Sequence, residues 1–207
     1  SFNTVGVPLQ PRRMWPSGLD QLMGADAPRG RIRPDEQAEP GYALARLSDM
    51  GYGTRLRELL ATNELGEPVD SEVPADLGRA CVKVLAAWEW SEAGRPVAVL
   101  TLPSPVRPRL AQSLGRGLAS VGRLVDLGQV SLVDEPRFFG GNSAFRCADV
   151  LRSYRVPAEV LDYVREHQCP VLLVSDVVDS RWVFTAVARE LRLAGASAVY
   201  PFSLAAT

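Results

Sequence analysis

The residues best suited by type and spacing to do chemistry fall in one stretch, VLLVSDVVDSRW at 171–182. The apolar run at 171–174 reads as a strand buried on both faces, SDVVDS at 175–180 as a loop, and the segment from Arg181 as a helix stopped at Gly195. A strand, a short polar loop and a helix place polar groups at the carboxyl edge of a parallel sheet, where open α/β folds take their ligands. There Asp176 and Asp179 can accept hydrogen bonds from ribose hydroxyls or hold a magnesium ion, while Ser180 and the amides after it face a phosphate. A second reading has Asp179 or Ser180 do no more than cap the helix.

Other chemistries lack their parts. His167 is the only histidine, which removes His-rich zinc sites and Ser-His-Asp triads. Cys81, Cys147 and Cys169 are odd in number and far apart, so neither a disulfide framework nor a CxxC metal knuckle is expected, and no metal site is assigned. No GxxxxGK[ST] loop occurs, so an intact nucleotide-driven motor is not contained in the chain. Cys147 follows Arg146 at a helix start, yet with no nearby His it reads as packing.

Stepping outward to the elements, 207 residues with 46% hydrophobic and 23% charged side chains describe one ordinary globular unit, or one domain plus an extension. There is no apolar run of roughly eighteen residues and no signal-peptide pattern, so a cytoplasmic protein without membrane partners is expected. Residues 1–73 are expected to form an extension rich in Pro, Gly and Arg, with short strands and a helix. Within it GYALARL at 41–47 reads as a strand and TRLRELLAT at 54–62 as a helix. From 74 to 207 the expectation is an α/β domain: a mostly parallel sheet with helices on both faces. Its pieces are a helix from Asp76 to Glu92, strands at 96–102, 129–134, 171–174 and 198–204, and helices at 108–122, 143–154 and after Arg181. In the helix at 108–122, Leu110, Leu114, Leu118 and Val121 recur at helical spacing, with Gly122 as the cap.

The net charge of -1 predicts no global attraction to nucleic acid, but the segment from Ala93 to Val125 holds five arginines and no acid. Arg107, Arg109 and Arg116 can track a DNA backbone, or form a solvated helix face. Asn142 and Arg146, in GGNSAFR at 140–146, are further candidates for DNA contact, with a plain N-cap and a surface arginine as the alternative. Trp15, beside Arg12 and Arg13, can stack on a base of single-stranded DNA, but Met14, Pro16 and Leu19 around it favour an anchor for the extension.

VLLVSDVVDS, followed by a helix and LAGASAVYPFSLA, resembles the signature of type I phosphoribosyltransferases. In that family two acids contact the ribose of phosphoribosyl pyrophosphate and a Thr-Thr-Gly-Ala-Thr type loop wraps its 5′-phosphate. The chain departs from the pattern at Ser175, where the first acid stands, at Arg181, where the loop glycine stands, and at Trp182 and Val183, where small or hydroxyl residues stand. Bulky residues there restrict the backbone and obstruct a phosphate, so the resemblance implies a degenerate phosphate and ribose site of Asp176, Asp179, Ser180, Arg181 and Trp182.

The shared order of MWPSG at 14–18, GRI at 30–32, ALARLSDMGYG at 43–53, PVAVLTLPSPVRPRLAQSL at 96–114, GGNSAFR at 140–146 and the DSRW unit is similar to the C-terminal region of bacterial RecQ-like ATP-dependent DNA helicases. The resemblance implies a phosphoribosyltransferase-like, non-motor domain that binds DNA, docks on the motor or senses a ligand in service of DNA unwinding and repair. It also implies a fragment, its motor lying upstream with the ATP and magnesium; no cofactor is expected in the fragment itself. The alternative is an active phosphoribosyltransferase using phosphoribosyl pyrophosphate and magnesium.

Overall fold

The computed structural model describes residues 6–134 and 141–207. In chain order its first elements are β1 (Val7–Leu9), α1 (Leu19–Met23), β2 (Gly41–Arg46), α2 (Tyr52–Leu59) and α3 (Ala75–Ala87). Then come β3 (Ala98–Thr101), α4 (Pro108–Gly122), β4 (Val125–Gln129), β5 (Ser131–Leu132) and α5 (Ser143–Ser153). The last are β6 (Tyr154–Arg155), α6 (Ala158–His167), β7 (Pro170–Val178), α7 (Trp182–Ala194) and β8 (Ala198–Ala206).

The protein is α/β, as the alternation of apolar runs and amphipathic helices predicts. A six-stranded sheet has the order β1-β2-β8-β7-β3-β4, parallel throughout except for β1 against β2. The segment expected as an extension contributes the two outermost strands on one side, through Ala43 beside Ser203 and Val7 beside Ala43.

Side chains alternate across β7: Leu172 and Val174 enter the core beneath α2, α3 and α4, whereas Val171 and Leu173 enter the core beneath α1, α5, α6 and α7. Each such fully buried Leu or Val contributes roughly 1.5–3 kcal/mol relative to exposure. The chain steps from β3 through α4 to β4 in one direction and from β7 through α7 to β8 in the other. Crossovers of one hand that step in opposite directions must lie on opposite faces, as α4 and α7 do, and a crevice opens between the carboxyl ends of β3 and β7.

Several boundaries differ from expectation. The strand expected at 129–134 is replaced by β4 at the sheet edge, while β5 pairs with β6 in a separate two-stranded ribbon. The helix expected to reach Glu92 ends at Ala87, where Trp88 turns extended and packs its ring on Trp90 at 4.6 Å. Arg123, at φ 54°, caps α4 in place of Gly122, and Val121 is 63% exposed rather than core. β7 runs on to Val178, because β8 continues beside it through Val178 and Ala206; the loop contracts to Asp179–Arg181.

Candidate functional site

The crevice is a cleft of about 550 Å³. One wall is the loop after β3, from Leu102 to Arg107; the opposite wall is the loop after β7 with the first turn of α7; α5 and Tyr154 close the third side. All of these reach the same point because both strands end there in parallel, which is the position at which such sheets accept ligands.

Polar groups are set among the apolar side chains Leu102, Val150, Val178 and Phe184 that line the cleft. Ser175, at the position where a first acid was expected, turns its hydroxyl back to donate to the Val177 carbonyl at 3.2 Å. Asp176 accepts from the Val177 amide at 2.7 Å, which fixes its carboxylate beside the strand end. Burial, and then the negative charges of Asp176 and Asp149, push the Tyr154 hydroxyl up to about 12. Tyr154 is therefore a neutral phenol at physiological pH, able to donate a hydrogen bond.

Cations stand toward the opening. Arg146, on α5, lies 3.7 Å from Asp179, in an ion pair whose side chains are both largely exposed and which adds little stability. Asp179 also accepts from the Thr207 hydroxyl at 2.9 Å. Arg107 lines the cleft, but its guanidinium donates to the carbonyls of Leu60 at 2.6 Å and Val69 at 3.1 Å, pinning the acidic loop before α3.

The loop after β7 is clamped from behind. Arg181 takes the left-handed conformation, φ 68° and ψ 7°, that a glycine would adopt freely, so the expected turn is kept with a side chain attached. Its guanidinium donates to the Gln10 carbonyl, and Arg12 donates in return to the Ser180 carbonyl at 2.7 Å. Arg12 also lies over the Trp182 ring at 3.9 Å; burial first, and then Arg181, hold the Arg12 guanidinium below its ordinary pKa.

Of the expected degenerate site, Asp176, Asp179, Ser180 and Arg181 line the cleft and Trp182 does not. Trp182 is 1% exposed and stacks near-parallel on Trp15 at 6.3 Å, facing the core beneath α7. As the first helical residue after Arg181 it rotates away from the opening, so it anchors the loop instead of obstructing it. Trp15 accordingly serves as an anchor. Among the residues considered for DNA, Arg107 and Arg146 share the cleft, whereas Arg109, Arg116 and Asn142 do not line it. Arg109 lies 3.9 Å from Glu72, Arg116 is exposed along α4, and Asn142 caps α5 by accepting from the Phe145 amide at 3.1 Å. Gly140 of the GGNSAFR motif lies outside the described residues. Cys147 is buried and its thiol is pushed up to about 12 by that burial, in keeping with packing.

Asp149 and Tyr154 belong to the cleft without having been singled out from sequence. The signal for Asp149 was present: Arg146, Asp149 and Val150 at i, i+3 and i+4 share one side of α5. Arg12 gave no local signal, because its partners are distant in sequence.

Among the described residues no group of three or more His, Cys, Asp or Glu side chains is arranged to hold a metal ion, and no helix is long and apolar enough to cross a membrane. Fold and cleft together define a class: an open, mostly parallel α/β protein with a ligand-sized cleft, apolar with a few convergent polar groups, at its topological switch point. The chain matches no protein-family model and no curated protein.

Proposed function

We propose that the chain is a non-motor accessory domain of a bacterial RecQ-like ATP-dependent DNA helicase, and that its cleft senses a phosphorylated sugar, binding it without transferring phosphoribose. The observation that carries the ligand reading is the convergence of Asp149, Tyr154 and Asp176 with Arg146 and the start of α7 in one cleft of about 550 Å³. Carboxylates and a neutral phenol suit the hydroxyls of a sugar; Arg146 and the uncapped first turn of α7 suit a phosphate. The helicase assignment rests on the ordered motifs from MWPSG at 14–18 to DSRW at 179–182. DNA is then met through the parent helicase, whose motor binds ATP and magnesium and offers the surface on which this domain docks.

Sensing is favoured over transfer because the transferase loop is tied down. Ser175 replaces an acid and spends its hydroxyl on the backbone, Asp179 is engaged by Thr207 and Arg146, and Arg181 is bound to Gln10. Calorimetric titration with ribose 5-phosphate should give saturable binding that weakens at least tenfold in Arg146→Ala, and incubation with labelled phosphoribosyl pyrophosphate and a panel of bases should give no product. Turnover abolished by Asp176→Asn would instead assign an active phosphoribosyltransferase. In the full-length helicase, unwinding that responds to the sugar phosphate and loses that response in Asp176→Asn supports the accessory role; unchanged unwinding and response in that variant refutes it.

A further inference from the structure

A second concavity lies on the opposite face of the sheet, between α3 and α4, with a volume of about 530 Å³. Leu114 and Leu118 form its base, Val82 and the 63% exposed Val121 its apolar walls, and Arg79 and Lys83 its α3 rim. No carboxylate lines it. Neither Arg79 nor Lys83 has a hydrogen-bond or ion-pair partner among the described residues, and Lys83 is the only lysine of the chain.

We infer that this groove docks an amphipathic helix of a partner protein, apolar on the face toward α4 and acidic on the flank toward α3. Charge complementarity fixes the partner's chemistry: one rim carries two unpaired cations, the α4 side is uncharged, and the base is aliphatic, which are the requirements of a helix-in-groove interface with an acidic edge.

The glycines of these helices agree. A Cβ on Gly115 would lie 1.9 Å from the Thr101 hydroxyl oxygen, so that glycine is needed for α4 to rest on β3. Gly78 and Gly117, which line the groove, are different: a Cβ on either would meet nothing within 4 Å. Both weaken their helices relative to alanine and gain nothing from packing inside this chain. Open positions of this kind let the backbone of an incoming helix approach closely.

The test uses the whole chain and labelled synthetic helices of about eighteen residues, about five turns, with a leucine-alanine face and either glutamate or lysine along one flank, read by fluorescence anisotropy. The glutamate peptide should bind at least tenfold more tightly than the lysine peptide. Gly117→Leu, which fills the groove from an unobstructed helical position, should lower that affinity at least tenfold while leaving thermal unfolding unchanged or raised. Val121→Glu, at an exposed position, should do the same for the acidic peptide, and Arg79→Glu with Lys83→Glu should reverse the preference. Absence of binding, equal binding of both peptides, or binding indifferent to Gly117→Leu and Val121→Glu overturns the inference. Concentration-dependent self-association abolished by Gly117→Leu would assign the groove to a second copy of this chain and overturn it equally.

Discussion

Two helices begin at the carboxyl edge of the sheet on facing walls of the cleft, and their N-termini are treated in opposite ways. At α4 the Asp70 carboxylate, from a loop far earlier in the chain, accepts from the amides of Arg109 and Leu110 at 2.9 Å each. At α7 no side chain caps the first turn, and the residue before it, Arg181, is held in a left-handed turn by Gln10 and by its own helix. The positive end of α4 is thus already neutralised by this protein's own acid, while that of α7 stays open beside Ser180 and Arg181. An anion entering the cleft has one helix end to meet, and it is the one that follows the strand β7 and its Ser175 and Asp176.

That asymmetry can be broken most severely at Trp182, which anchors the open side. Trp182→Ala removes a buried ring that contacts both Trp15 and Arg12 and should destabilise the fold by roughly 3–5 kcal/mol in urea unfolding. Asp70→Ala acts on the closed side. It should cost about 1 kcal/mol as a lost cap, and it should enlarge the rise in melting temperature produced by phosphate, because a second helix end becomes available.

The turn before α7 offers a finer test. Arg181→Ala and Arg181→Gly both lose the bond to Gln10, but only glycine relieves the positive φ, so the glycine variant should be the more stable of the two by about 1 kcal/mol. The smallest effect lies on the far side of α7. Burial raises the Glu190 carboxyl above its ordinary value near 4.5, outweighing the Val156 amide at 3.3 Å. A raised acid pKa gives stability that is present below that ordinary value and is lost as pH rises through the folded one. Glu190→Gln should therefore flatten the fall in stability above pH 4.5, checked by unfolding at stepped pH.

The open side of the cleft was largely legible in the sequence and the closed side was not. Val171–Val174 is a short apolar run between Pro170 and Ser175, Ala198–Leu204 a second run, apolar but for Ser203, and Trp182–Ala194 an amphipathic helix stopped at Gly195, all of which are local signals. The apolar run of β7 breaks at Ser175 and Asp176, which hides the strand's true length in the sequence, whereas its ladder continues as long as β8 lies alongside. The edge strand β4 carries exposed Val125 and Asp126 and gives neither alternation nor a buried run. The helix α6 shows itself in sequence only by Val160 and Val164 one turn apart between Pro157 and Gln168, a short apolar stripe. The capping of α4 by Asp70 and the clamping of Ser180 by Arg12 are tertiary contacts between distant segments, with no trace in periodicity or composition. The turning of Trp182 into the core depends on Trp15 in the same way.

Amide chemical shifts followed during titration with ribose 5-phosphate test the central claim most directly. The account predicts saturable shifts at Ser180, Arg181, Val183 and Phe184 and at Tyr154, with Arg109 and Leu110 unmoved. Shifts confined to the α4 end, or none at all at saturating sugar phosphate, would contradict it.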